Sequence, residues 1–277
     1  MIPWEALVLL LVFIAYACAT VFFSLRYWLK SNRLVSIGVM LTGMALTLHT
    51  GLLIFRGIAA GRLPFSNLYE FTLIFAWATM LVFVYCAMRF RLLASAPLAL
   101  SLTTLLIGFA AMMPRDIRPL MPALRSGWLQ AHVATGILAY GALAVSAVLA
   151  LLMLTTRDER VETEASDWVG KYWSIPSLAA LEKYVHSLIV FGFIFLSLLI
   201  VTGAVWAEET WGRWWGWDPK EAWALVTWLI YLVYLHGKRR FNWQGQATAW
   251  FSAIGFLAVM FTLFGVTYLL PGLHSYK

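Results

Sequence analysis

The sequence predicts an all-α polytopic membrane protein of about eight transmembrane helices, forming a single integral membrane domain over residues 1–277. Three observations carry that expectation. Of 277 residues, 62% are hydrophobic and 12% charged, against about 25% charged in a soluble domain. The apolar residues fall into runs separated by clusters of charge, Gly or Pro, and most runs are long enough to cross a hydrocarbon core of about 30 Å. Lipid leaves no backbone polar group unpaired without penalty, so runs of this kind are helices. Together they use up the chain, which excludes a two-domain soluble enzyme.

The runs lie near 4–23, 34–55, 69–88, 92–113, 128–154, 184–206, 222–236 and 247–270. The first has no basic n-region and no small-residue cleavage site, so it reads as a span and not a removed signal peptide. Arg26, Lys30 and Arg33 separate it from the second run. Residues 56–68, with Arg56 and Arg62, separate the second from the third, and Arg89 and Arg91 separate the third from the fourth. Residues 114–127 hold three Pro and three Arg. Residues 155–183 mix both charge signs around Trp168 and Trp173 at amphipathic spacing, the pattern of an interfacial helix on the cytoplasmic side. The Trp-rich stretch 207–221 follows the sixth run. The seventh run is short, and its flanking Trp residues and Lys238 complete it in the headgroup layer.

Basic residues set the orientation. Counted over alternate loops, one side carries 12 Lys and Arg and the other 8, and three short loops on the first side are basic with no acidic residue. The positive-inside rule makes that side cytoplasmic, so both termini and the Trp-rich loop face outward. The net charge of +7 then has a topological cause, and nucleic acid is not expected as a partner. Cys18 and Cys86 lie in apolar runs without a C-x-x-C spacing and suggest neither a disulfide framework nor a metal site.

Seven of the fifteen Trp residues fall within 23 positions: Trp206, Trp211, Trp214, Trp215, Trp217, Trp223 and Trp228. An aromatic belt would spread such rings over many helix ends. Here they share one loop with Asp218, Pro219, Lys220 and Glu221, and Gly212 and Gly216 allow the backbone close to whatever the rings cover. Flat apolar rings edged by charge suit a flat conjugated ligand with acidic groups at one rim. Quinone and porphyrin are the leading ligands, with Arg213 or Lys220 placed to pair with propionates.

The stretch Gly203-AVWAEETWGRWWGWDPKEAWALVTWLIYLVYLHGK closely resembles the WWD signature of haem-handling proteins in cytochrome c biogenesis, and Leu63-PFSNLYEF resembles the second hallmark of that family. With eight spans and this length, the chain is similar to the CcsA (ResC) type of the system II pathway, related to CcmC and CcmF, from about residue 40 onward. The resemblance implies haem b as cofactor, 207–221 as the WWD haem-binding loop, and a CcsB (ResB) membrane partner. It also implies delivery of haem for attachment to C-x-x-C-H motifs of apocytochrome c on the outer side, as part of a synthase complex. A bacterial plasma membrane or a thylakoid is the expected location.

Five histidines are the candidate metal ligands: His49, His132, His186, His236 and His274. On this topology His132 lies about one turn inside the outer end of the fifth span, and His274 follows the eighth after Pro271-Gly272, both level with the Trp loop. Two neutral imidazoles can ligate one haem iron from opposite faces. The resemblance assigns that role to these two, and a membrane-embedded ligand role to His236, about 21 Å below the platform at 1.5 Å per residue. His186 reads as a headgroup contact, though it shares the cytoplasmic end with His236, and His49 reads as core packing or polar lining. Asn67, Tyr69 and Glu70 open the third span with ordinary capping chemistry; the resemblance adds that they lie beside the platform and support it. The rival readings are a resident b-type cytochrome that passes electrons to or from quinone, and a transporter, for which the sequence shows no repeat.

Overall fold

A computed structural model describes residues 3–156, 168–173, 175–270 and 272. Among these residues the chain is helical, and the elements match the predicted runs. They are α1 (Pro3–Leu29), α2 (Asn32–Ala60), α3 (Leu68–Phe90), α4 (Ala96–Ala111), α5 (Gly127–Thr155), the short α6 (Trp168–Tyr172), α7 (Leu178–Trp211), α8 (Pro219–Phe241) and α9 (Gln246–Met260). α9 runs on through a π-turn at Phe261–Gly265 into a last turn, Val266–Leu269.

Seven of these helices are long and apolar enough to cross a membrane. The eighth predicted span, α8, is a 23-residue helix with Lys220 and Glu221 in its first turn and Lys238, Arg239 and Arg240 in its last. Its uncharged stretch, 222–236, rises about 21 Å from end to end, short of a full hydrocarbon core. The predicted interfacial segment is seen in part. Residues 157–167 lie outside the described residues, and α6 is the helical piece of the remainder.

The helices fall into two compact units. The first holds α1–α4 and α6. α1 buries Leu9, Val12, Tyr16, Ala19 and Phe23 on one stripe at helical spacing and leaves Leu7, Leu10, Ile14 and Val21 exposed, as a helix with one protein face and one lipid face should. At one end of this unit Trp173, just past α6, stacks on Phe23 at 5.9 Å, lies 5.7 Å below the Arg26 guanidinium and bridges to Leu92.

The opposite end of the first unit is tied by charge. Arg56, 1% exposed, donates from Nη1 to Glu5 Oε1 (2.7 Å) and to the Arg115 carbonyl (3.0 Å), and from Nε to Glu70 Oε1 (3.0 Å). Glu70 Oε2 also accepts from Arg62 Nη1 and from the Ser66 amide and hydroxyl, each at 2.9 Å. The Tyr69 hydroxyl donates to Glu5 at 3.0 Å, and its ring lies 4.7 Å from the Arg56 guanidinium. One arginine thus joins the start of α1, the end of α2, the start of α3 and the chain just after α4.

The second unit holds α5, α7, α8 and α9. α5 is its central helix, apolar, rich in small residues and buried over most of its length. Small residues let backbones approach closely where the hydrophobic effect gives no force between helices. A Cβ on Gly136 would stand 2.8 Å from Leu199 Cδ1, and one on Gly192 would stand 2.6 Å from Leu143 Cδ2. Polar side chains pair across the same seams: Ser146 with Ser252 at 2.9 Å, Thr227 with Thr262 at 3.2 Å, and Trp228 Nε1 donating to Ser197 Oγ at 2.8 Å. At the end away from the Trp segment, Glu182 pairs with Lys238 and accepts the Gly245 amide at 2.9 Å, which joins α7 to the α8–α9 turn.

Arg56 supplies the test of the first unit. Arg56→Ala leaves the buried Glu5 carboxylate without its cation and takes one of two from Glu70, and is expected to cost about 3–5 kcal/mol, read as a lowered unfolding midpoint of the purified chain in detergent. Adding Glu5→Gln and Glu70→Gln should recover much of that loss, since the cost lies in the uncompensated charges. No recovery would show that the network contributes by packing alone.

Candidate functional site

The Trp-rich segment is a short loop between two capped helices. α7 ends where Gly212 takes a left-handed conformation, φ 69°, and returns its amide to the Glu208 carbonyl at 2.9 Å. α8 begins at Asp218, whose Oδ1 accepts from the Lys220 amide at 3.0 Å, with Pro219 at the first helical position. Glu221 reaches back from the first turn, and its Oε2 accepts from the Gly216 amide at 2.8 Å and the Asp218 amide at 3.0 Å. This is a capping box extended by one further donor. Asp218 and Glu221 therefore hold the shape of the loop.

The seven indoles divide into two sets. Trp206 is 2% exposed and donates from Nε1 to the Ala123 carbonyl at 2.9 Å, with Trp211 edge-on to it at 4.9 Å. Trp223 packs on Phe261 at 4.3 Å, and Trp228 stacks on Phe193 at 5.2 Å. These rings seat the segment on the helices. Trp214 and Trp217 point outward, 59% and 71% exposed, and Trp215 stands edge-on to Trp217 at 5.8 Å. Trp217 takes φ 56°, a conformation costly for a bulky side chain. The exposed surface is therefore smaller than a sheet of seven rings.

The loop glycines have different reasons from those the sequence suggested. Gly212 supplies the positive φ of the α7 cap. A Cβ on Gly216 would lie 2.6 Å from Arg213 Cζ, so the group that approaches this backbone closely is the Arg213 guanidinium. Lys220 is half-buried beside Asp218; burial pulls its ammonium below the ordinary lysine range, and the Asp218 charge opposes that shift.

His132 sits on α5 five residues after Gly127, at the same end of the unit as the Trp loop. Its Nδ1 is 2.8 Å from the Leu199 carbonyl, and its ring stacks on Trp206 at 6.1 Å and 26°. Ser126 caps α5 and donates to Glu209, near the end of α7. His274 lies outside the described residues. The chain leading to it returns to the loop: a Cβ on Gly272 would stand 2.6 Å from Asp218 Oδ2 and 3.1 Å from Pro219.

His236 is exposed on α8 at the other end of the unit, 6.0 Å from Phe241. His186 Nδ1 lies 3.1 Å from the hydroxyl of Tyr234, so this histidine has a protein partner where a headgroup contact was expected. Tyr234 is buried, and His236, two residues on, lies about 200° around the helix. The two histidines thus address different faces of α8.

Asn67, Tyr69 and Glu70 belong to the first unit. Asn67 Oδ1 caps α3 by accepting the Glu70 amide at 2.8 Å, and Tyr69 and Glu70 are members of the Arg56 network. His49 is fully buried in that unit, 6.1 Å from the Tyr16 ring, and its two nitrogens and the Tyr16 hydroxyl have no hydrogen-bond partner among the described residues. Sequence reasoning missed Arg56 and Arg62 as partners of Glu70, Glu5 as the second carboxylate held by Arg56, and Glu209 as the partner of Ser126. For Glu5 the available signal was a carboxylate in an otherwise apolar run.

Residues 65–274 match the model of a family described as cytochrome C assembly protein. A relative from Guillardia theta, named cytochrome c biogenesis protein CcsA, is 33% identical over 273 residues, 91% of each chain. One of the same name from Prochlorococcus marinus (strain MIT 9301) is 34% identical over 89% of this chain and 85% of its own. Another from Chlamydomonas reinhardtii is 38% identical over 87% of this chain and 69% of its own. Among solved structures, one named cytochrome c heme lyase CcmF superposes with a TM-score of 0.72 at 16% identity, over 95% of this chain and 46% of that one. The chain thus spans less than half the length of that protein, and the likeness is one of fold.

The closure of the loop by Glu221 is testable by amide exchange. Glu221→Ala removes the acceptor of two backbone amides and is expected to cost about 1–2 kcal/mol locally, a five- to thirty-fold faster exchange at Gly216 and Asp218. The unfolding midpoint should move little, because Asp218 still caps α8. Unchanged exchange would mean that the packed indoles alone hold the loop.

Proposed function

The chain belongs to the cytochrome c assembly protein family, and from that membership we propose how its own residues serve the work. Its role is in cytochrome c biogenesis, as an integral membrane protein. Haem is the cargo, in keeping with the heme lyase of like fold, and we read it as haem b on its way to covalent attachment. The electron-transfer reading is not favoured.

The outer site is built on His132 and His274 as axial ligands. The observation that carries this is the placement of three things at one end of the second unit: the His132 ring on Trp206, the exposed Trp214 and Trp217, and Gly272 against Asp218. The residues suit a porphyrin. Trp214, Trp215 and Trp217 offer apolar faces and edges, Trp206 and Trp211 back the histidine, and Arg213 and Lys220 provide cations for propionates. Asp218 and Glu221 keep the loop in shape. In unit 1, Tyr69 and Glu70 stabilise a helix start capped by Asn67, which accounts for them without a ligand.

His236 is proposed as a ligand for haem at the other end of the second unit. It stands on the exposed face of α8, so a second ligand comes most simply from a CcsB-type partner in the membrane. We propose that the loop and both termini face outward, following the basic loops, in a bacterial plasma membrane or a thylakoid. Apocytochrome c then presents its C-x-x-C-H segment at the loop. Each cysteine S–H adds across a haem vinyl group, sulfur to one carbon and hydrogen to the other. The chain's own contribution is positioning: a held ring, a fixed loop and two ligands. No acid–base residue is required of it.

The test is the optical spectrum and haem content of the purified chain, alone and with its membrane partner. His132→Ala and His274→Ala should each remove the low-spin spectrum of the outer site and lower cytochrome c maturation at least tenfold. His236→Ala should lower haem content while leaving the outer pair able to bind added haem. Normal maturation in both outer variants would refute the ligand assignment.

A further inference from the structure

His132 meets a single stripe of α7. Leu199, Gly203 and Trp206 follow one another at i, i+4 and i+7, on one face of the helix. The Leu199 carbonyl oxygen is 2.8 Å from Nδ1, and the Trp206 ring stacks on the imidazole at 6.1 Å. Between them a Cβ on Gly203 would stand 2.7 Å from Nδ1 and 2.8 Å from Cε1, closer than real Cβ contacts come. Gly203 lies inside α7, where glycine costs about 0.5–1 kcal/mol relative to alanine. The backbone there is helical, so no special conformation calls for glycine. The close approach of the His132 ring does.

A carbonyl oxygen can only accept, so Nδ1 is the donor. The neutral ring then carries its lone pair on Nε2. We infer that Gly203 and the Leu199 carbonyl are positioning elements for His132: the glycine makes a notch for the ring in the α7 backbone, and the carbonyl selects the tautomer that presents Nε2 to iron. The inference rests on the reading of His132 as a haem ligand and names what makes it one. An N–H donated to a carbonyl also raises the basicity of the opposite nitrogen and fixes the ring plane. Trp206 closes the third side and is itself anchored by its bond to Ala123. The ring therefore enters a site prepared before haem arrives.

Two measurements on the full-length chain in detergent test this. In the haem-free protein with 15N-labelled histidine, His132 should resonate as the Nδ1-protonated tautomer, and Gly203→Ala should replace that signal with a mixture of tautomers. In haem-loaded protein, His132→Gly should lose the low-spin spectrum, and added imidazole should restore it at a concentration at least tenfold lower than 1-methylimidazole. The methylated nitrogen cannot donate to Leu199. Equal rescue by the two bases, or an Nε2-protonated His132 in the haem-free wild type, would overturn the inference; neither result needs Gly203→Ala to fold. An unchanged spectrum in His132→Gly would instead overturn the ligand reading, while the haem-free tautomer still reports on the notch.

Discussion

The approach of α5 to α7 at glycine distance is the constraint on which the second unit depends. Inside lipid the hydrophobic effect gives no reason for two apolar helices to associate, so packing and a few interhelical hydrogen bonds must hold them. Gly136 and Gly192 remove the side chains that would keep the axes apart, and Leu199 and Leu143 fill the space they leave. Only at that separation can a side chain of α5 reach a backbone carbonyl of α7, as His132 does at Leu199. A wider seam would leave His132 a surface imidazole with no fixed plane.

The first unit answers the same solvent in another way. It buries charges and offsets them with one another. Arg56 donates to both Glu5 and Glu70, Arg62 adds a second cation, and the remaining lone pairs of Glu70 are taken by Ser66. Such a network adds little stability compared with an apolar core, but breaking it is costly. Its value is one of register: four chain segments from different helices must end at one level for the donors to meet the acceptors.

What the sequence made legible follows from which forces are local. The spans could be read because hydropathy is summed over 20 residues and boundaries carry Arg, Lys, Gly or Pro. The caps could be read because Asp218-Pro219 and Asn67 act within three residues of themselves. The Trp cluster stood out by density alone. Its division into seated and exposed rings could not be read, because that depends on which residues of other helices lie opposite, such as Ala123 for Trp206 and Phe261 for Trp223. The Arg56 network and the Gly203 notch were hidden for the same reason. Arg56 and Glu5 are 51 residues apart, and a glycine within an apolar helix looks the same in sequence whether it meets lipid or a histidine ring.

The split of the indoles bears on how a cargo site can both hold and release. If all seven rings gripped a ligand, removing it would mean dismantling the packing between helices. Here Trp206, Trp223 and Trp228 belong to the scaffold, and the face left to a ligand is the loop with Trp214 and Trp217, about as many exposed rings as a flat molecule needs on one side. Glu221 and Asp218 hold the loop in one shape, so a ligand bound on this face would cost little ordering entropy. In the proposed site, strong binding would have to come from the histidines, whose bonds would be exchanged one donor at a time. With His132 and His274 as the proposed pair, a histidine of the receiving chain would be able to replace one of them while the other kept its hold. On the side of α5, His132 meets the Leu199 carbonyl, the Gly203 notch and the Trp206 ring, so its ring plane is fixed by the same packing that holds the two helices together.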